Sequence, residues 1–258
     1  MIAVLRGLRS FLSVLLIGPL FMLGSVVLRL GMIPALWVRP QLRWVLVSLF
    51  MKGMSHGILG LLSLGGARFR RRGVIPTASP VVVIANHQGL VDITQIALLC
   101  RPRVPGFVTR RRYARFVPVV SAAVRTLGGP IVDPKRDARG AIEAIRRAAV
   151  ELPHGMIIFP EGHRSLDGAV GPFRTAGLAA IFEARRIPVY LVVSDGVWRG
   201  RRLADVLFRA HLMNACAEVL GPFESPGNPS EIPAFIAGLR RIIVARLQER
   251  RTAESAPA

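Results

Sequence analysis

Pro80-Val81-Val82-Val83-Ile84-Ala85-Asn86-His87-Gln88-Gly89-Leu90-Val91-Asp92 is the stretch that decides how this chain folds. The unbroken apolar run at its start reads as a strand. The run then breaks into a polar turn and leads into a candidate helix over 91–100. Strand ends that open into polar turns are where open α/β sheets build their sites. A second stretch has the same form. Met156-Ile157-Ile158-Phe159 runs into Pro160-Glu161-Gly162-His163-Arg164-Ser165.

Working outward, short apolar runs alternate with helix-length segments. Strands are expected at 80–85, 105–109, 130–132, 155–159 and 188–194, with a weaker one near 209–220. Helices are expected at 91–100, 112–127, 136–151, 173–186 and 230–250. That alternation predicts an α/β fold with a mostly parallel sheet flanked by helices.

The front of the chain differs. Ser10 to Leu28 is nineteen residues without a charge, flanked by Arg6, Arg9 and Arg29. As a helix it would be about 28 Å long, near the thickness of a bilayer's hydrocarbon core. A second apolar stretch, 45–66, carries Ser48, Lys52, Ser55 and His56 at helical spacing, one polar stripe on an apolar helix. Such a stripe suits an in-plane or half-inserted helix. Arginines before, between and after the two stretches define no positive-inside topology. They favour a membrane-embedded hairpin in one leaflet over two spanning helices. A cleavable signal lacks a small-x-small site before Arg29. The expected organisation is a two-helix membrane segment over 1–66, an α/β domain over 67–251 and a disordered tail over 252–258. Ala67 to Gly73, with Arg68, Arg70, Arg71 and Arg72, reads as a basic junction for anionic headgroups or as a solvated linker.

The chain of 258 residues carries a net charge of +20, from 33 Arg and 2 Lys against 15 acids. That balance implies an anionic partner, and the apolar N-terminus favours membrane lipid over nucleic acid. Cys100 and Cys216 show no pairing pattern and read as buried thiols. The histidines at 56, 87, 154, 163 and 211 lack zinc-site spacing, so no metal is expected. No nucleotide-binding glycine loop occurs, and no cofactor is expected.

His87 and Asp92 form the sharpest constellation. A His held by a carboxylate can take a proton from an alcohol. On a regular helix positions i and i+5 stand about 140° apart, so the pair meets only if His87 lies in the turn and Asp92 in the helix's first turn. Gly89 reads as the residue that permits so sharp an entry. The competing reading is a structural His beside a helix-start Asp. Glu161 and Arg164 could hold a polar or anionic acceptor, or form a surface salt bridge.

These two stretches resemble motifs of the 1-acylglycerol-3-phosphate acyltransferases and their glycerolipid acyltransferase relatives, over roughly residues 75–200. The first family motif is His, four residues, then Asp, met by His87 to Asp92. The third is Phe-Pro-Glu-Gly-x-Arg-Ser, met by Phe159 to Ser165 with His163 at the position usually Thr. The resemblance implies His87 as general base and Asp92 as its orienter. It implies acceptor binding by Glu161, Gly162 and Arg164. The second motif departs: in Gly129-Pro130-Ile131-Val132-Asp133-Pro134-Lys135-Arg136 the basic residue expected after Asp is Pro134. Either Lys135 or Arg136 meets the phosphate, or the acceptor differs; Arg110, Arg111 and Arg112 could supply charge instead. Gly89 replaces a frequent Ser, and only Pro188 of a fourth Pro-x-x-Pro motif remains.

The implied activity is transfer of a fatty acyl group from acyl-CoA or acyl carrier protein to the free hydroxyl of 1-acylglycerol 3-phosphate, giving phosphatidic acid in phospholipid biosynthesis. Another lysolipid acceptor, or a non-catalytic membrane-binding relative, is the alternative. The implied place is a bacterial-type inner membrane, with the site facing the cytoplasm.

Overall fold

The computed structural model describes residues 2–116, 118–200 and 203–255. Six strands form the central sheet: β1 (Arg68–Arg72), β2 (Val81–Ala85), β3 (Gly106–Phe107), β4 (Gly155–Ile158), β5 (Val189–Asp195) and β6 (Asn214–Phe223). Their order is β1-β6-β5-β2-β4-β3. Strands β2 to β5 are mutually parallel, while β6 runs antiparallel to β5 and carries β1 beside it in its own direction.

All five residues of β2 are buried, which is why the sequence shows a continuous apolar run there. Val82 and Ile84 point into one core, shared with Ile145 and Ala148 of helix Ala138–Glu151, Leu178 and Ile181 of Thr175–Ala184, and Ile236, Leu239 and Ile243 of Ile232–Ser255. Val81, Val83 and Ala85 point into the opposite core, with Ile96 and Leu99 of helix Asp92–Leu99.

That second core also holds Leu28, Met32 and Val47, so the N-terminal helices pack on the sheet itself. The first helical arm covers Val4–Val38 and the second Pro40–Leu64. The first extends ten residues past Leu28, through a π-helical turn at Val27–Met32, and the reversal falls at Arg39. The polar stripe of the second arm faces protein. Ser48 Oγ accepts from Val104 N at 2.9 Å, Lys52 Nζ donates to the Pro102 carbonyl at 2.9 Å, and Ser55 is buried. Only His56 of that stripe is exposed. Most of the side chains left outside are apolar, among them Leu12, Leu23, Leu30, Trp37 and Leu49, with Arg6, Arg9, Arg29 and Arg39 exposed beside them.

Several expected boundaries also move. Arg68–Arg72 is an edge strand rather than a linker, its arginines blunting an edge open to pairing. Ile131–Val132 pairs with Thr109–Arg110 in a separate two-stranded ribbon, not in the main sheet. The weak strand near 209–220 forms later, at Asn214–Phe223, after a helix at Leu203–Arg209 and a 3₁₀ turn at Ala210–Leu212. The last helix runs on through 252–255, the first four residues of the expected tail; residues 256–258 lie outside the described residues.

Candidate active site

The turn after β2 holds His87, and Asp92 opens the helix that follows. Asp92 Oδ2 accepts three bonds: from His87 Nδ1 at 2.8 Å, Gln88 N at 2.7 Å and Gly89 N at 2.9 Å. The carboxylate is fully buried and sits at a helix N-terminus, where negative charge is favoured. With Asp92 as acceptor, Nδ1 carries the ring hydrogen and Nε2 is left as an acceptor. The ring lies against Phe159, centroids 4.3 Å apart, with a fifth of its side chain open to solvent. This is the arrangement a general base requires.

The second stretch holds that turn from both sides. Glu161 Oε1 accepts from His87 N at 2.9 Å, and Ser165 N donates to the His87 carbonyl at 2.7 Å. Glu161 Oε2 accepts from Gly171 N at 2.7 Å, and the residue is buried. Burial raises its carboxyl above the usual range, opposed by the two amide bonds. Glu161 was expected to bind the acceptor. Both its oxygens are engaged by backbone amides, one of them the amide of His87, so the side chain braces the His87 turn. In Glu161→Gln the amide nitrogen must face one of two backbone donors. Leaving a buried donor unpaired costs about 1–3 kcal/mol. We expect a melting temperature several degrees lower and impaired turnover, checked by calorimetry and initial rates; Glu161→Asp should do no better, because its shorter side chain cannot span both amides.

Gly89 has a different reason from the one read in sequence. Its φ is not positive. A Cβ there would meet Val197 Cγ1 at 2.4 Å and the Val197 carbonyl at 3.0 Å. Val197 thus occupies the room that a serine would need. Gly89→Ser should destabilise the fold by about 1–3 kcal/mol through overpacking, measured by urea unfolding, and Val197→Ala in the same chain should recover part of the loss.

Gly162 does need its left-handed backbone, φ 70°. Its carbonyl accepts from the Arg110 guanidinium, and Arg174 lies against it. Arg164 is partly buried at the same turn. Lys135 and Arg136 are exposed, and Arg136 Nε stands 4.0 Å from Asp133. The structure therefore joins His87, Asp92 and Glu161 directly, and Gly162, next in the chain to Glu161, accepts from Arg110. It leaves Lys135 exposed and puts Arg136 on the wall of an open cleft of about 570 Å³, lined also by Arg111, Arg125, Asp133 and Asp137.

Two participants were missed in the sequence. Arg125 is a lone charge in the helix Pro118–Leu127, and its guanidinium donates to the Ala114 carbonyl at 2.7 Å. That isolation was a visible signal. The other is Asp195, at the end of β5. Gln88 Nε2 reaches the Gly168 carbonyl at 3.0 Å and Asp195 Oδ1 at 3.4 Å, and Arg251 clasps Asp195 at 2.7 and 3.0 Å. Burial alone would raise the Asp195 carboxyl, but the bonds from Arg251, Gly196 N and Gln88 hold it below the usual range. No sequence spacing links Gln88, Asp195 and Arg251. No group of metal-ligating side chains occurs among the described residues.

Residues 67–194 match the family model described as Acyltransferase. A chloroplastic 1-acyl-sn-glycerol-3-phosphate acyltransferase of Brassica napus is 32% identical over 121 residues, 46% of this chain and 33% of the relative. An Arabidopsis thaliana enzyme of the same description is 31% identical over 99 residues, 37% of this chain and 26% of the relative. The chain thus spans about a third of the length of the curated relatives it matches. The crystal structure of the 1-acyl-sn-glycerophosphate (LPA) acyltransferase PlsC from Thermotoga maritima superposes with a TM-score of 0.71, covering 99% of each chain at 20% identity. At that identity the likeness is one of fold, and it takes in the N-terminal helices. Sequence motifs, fold and family model converge, and residues 67–194 of the chain belong to the Acyltransferase family.

Proposed function

We propose that this chain acylates the free hydroxyl of 1-acylglycerol 3-phosphate with a fatty acyl group from a thioester, acyl-CoA or acyl carrier protein, forming phosphatidic acid. The observation that carries the reading is the buried Asp92 holding His87 Nδ1, with Nε2 left to accept a proton. In this reading Nε2 takes the hydroxyl proton as the oxygen attacks the thioester carbonyl. The C–S bond then breaks, and the departing thiolate takes the proton back from His87. No cofactor is required, because the thioester itself carries the activated acyl group.

The cleft beside Arg110 supports a phosphate site. Arg111, Arg125 and Arg136 line it, and Arg111 is one residue from the arginine that touches Gly162. A guanidinium fork suits phosphate oxygens. Arg111→Ala and Arg136→Ala should each raise KM for the acceptor about 10-fold or more, the effect of losing one charge-assisted bond, with kcat little changed. Unaltered KM in both would move the phosphate elsewhere.

The exposed apolar faces of the two N-terminal arms support association with a membrane. A one-leaflet hairpin is the form favoured, since the polar side of the second arm is spent on the domain. The acceptor and product are amphiphiles, so a site at the interface avoids extracting a chain at about 0.8 kcal/mol per CH₂. Soluble thioester donors would reach a site that faces the cytoplasm, and the membrane proposed is a bacterial-type inner membrane.

The test is transfer of labelled acyl groups from acyl-CoA and from acyl carrier protein to 1-acylglycerol 3-phosphate in vesicles. Transfer only to another lysolipid would select the second reading, which Pro134 and the exposed Lys135 and Arg136 favour. Silence from both donors across a lysolipid panel would leave a membrane-binding relative without turnover.

A further inference from the structure

The connection from β5 to β6 carries an apolar surface that the N-terminal helices do not account for. It comprises a 3₁₀ turn at Val197–Gly200, the helix Leu203–Arg209 and a second 3₁₀ turn at Ala210–Leu212. Its inner side is core: Val206, Ala210 and Met213 pack with Val14, Leu59 and Leu62 of the two N-terminal arms. Its outer side presents Phe208 and Leu212, 53% and 50% exposed. A phenylalanine half in water on a connection otherwise well packed calls for a partner.

The surroundings identify that partner. Phe208 stacks on Phe11 of the first helix, centroids 5.4 Å apart and planes within 6°. Leu5, Leu8, Leu12 and Leu15 of that helix are all exposed and recur at helical spacing, so they form one outward stripe. Phe11 lies at its border, and Phe208 widens the same surface. The joint is latched from inside. Buried Ser10 donates through Oγ to the Gly65 carbonyl at 3.0 Å and lies 3.1 Å from His211 Nδ1. Exposed Arg6, Arg9 and Arg209 border the patch, with Asp205, partly buried, the acid on the connecting helix.

We propose that residues 203–212 form a third membrane-contacting element, inserting Phe208 and Leu212 into the same anionic leaflet as the first helix. The proposal rests on the membrane reading above and extends it beyond the N-terminal arms. Aromatic and leucine side chains flanked by arginine are the composition that settles into the headgroup–acyl boundary. The same connection begins at the catalytic turn, where Val197 packs against Gly89 and Asp195 accepts from Gln88. Its contact with lipid would therefore hold the acceptor's point of entry at the bilayer surface.

Cys100 and Cys216 are buried, so a single introduced cysteine can be labelled selectively. A polarity-sensitive thiol fluorophore would be placed on the full chain in Phe208→Cys, in Leu12→Cys and, as the control, in Arg139→Cys on an exposed position of the distant helix. Each is mixed with vesicles of phosphatidylcholine and phosphatidylglycerol bearing shallow spin-labelled lipid. The expected result is quenching at 208 and 12 and none at 139. Quenching at 12 without quenching at 208 overturns this proposal and leaves the membrane reading intact. No quenching at either overturns both. A blue shift at 208 that needs no lipid and grows with protein concentration would assign the patch to a second copy of the chain, and also overturns it. As a second measurement, Phe208→Ser with Leu212→Ser should weaken vesicle partition about 10-fold while transfer to a water-soluble short-chain lysolipid stays unchanged. Unchanged partition would count against the proposal.

Discussion

His87→Ala leaves the chain folded and lowers the rate of acyl transfer by about 10²–10⁴-fold, the range assigned to a positioned general base. The fold is expected to survive because His87 contributes little packing. Its ring is partly exposed and touches Phe159, while Asp92 Oδ2 keeps its bonds from Gln88 N and Gly89 N. The loss should fall on kcat, since Nε2 acts on the hydroxyl proton only as the oxygen attacks. KM for the acceptor should change little, because the proposed phosphate contacts lie in the arginine-lined cleft. Single-turnover transfer with saturating donor separates the two. A variant within 10-fold of the wild type, properly folded, would remove His87 from the chemistry and with it the mechanism proposed here.

Asp92→Asn should cost almost as much, within the same range of about 10²–10⁴ in kcat. The substitution keeps the shape. Its oxygen is expected to stay at the Oδ2 position, because three donors converge there and an NH₂ in that place would oppose all of them. What disappears is the negative charge that balances the imidazolium formed when His87 takes the proton. The amide nitrogen is then forced into the Oδ1 position, which is buried and has no hydrogen-bond partner. Stability should fall as well, by about 1–3 kcal/mol, because the three bonds at Oδ2 lose a charged acceptor. The decisive measurement is the double variant. If the two residues act as one unit, His87→Ala with Asp92→Asn is no slower than His87→Ala alone. Losses that multiply would mean that Asp92 acts independently of the base.

The fate of particular residues shows which features were legible in advance. Val81 to Ala85 could be read as a strand from its continuous apolar run, and the structure buries it on both sheet faces. His87 and Asp92 could be read as a pair, because the geometry that brings them together lies within five residues. Glu161 was visible as part of a motif, but its partners could not be seen. His87 N and Gly171 N come from segments 74 and 10 residues away, and a side chain's hydrogen-bond donors leave no local trace. Gly89 suffered the same limit: its constraint is Val197, more than a hundred residues on.

The N-terminus shows the boundary most clearly. Apolar composition alone determined that helices of membrane length stand at the front of the chain, since a helix's length and polarity follow from consecutive residues. Composition also determined the α/β alternation and the two polar turns that close its strands. Which side of each helix faces protein was decided by the tertiary structure. The stripe of Ser48, Lys52 and Ser55 looked like a face for headgroups, yet Ser48 and Lys52 bond the loop at 102–104 and Ser55 is buried. Likewise Arg68–Arg72 became a strand because β6 offers it a row of backbone partners, against no strong local preference. Local sequence sets periodicity, length and polarity. Partner choice depends on chain segments far apart, and that is where the structure supplied the arginine cleft, the Gln88–Asp195–Arg251 link and the Phe11–Phe208 stack.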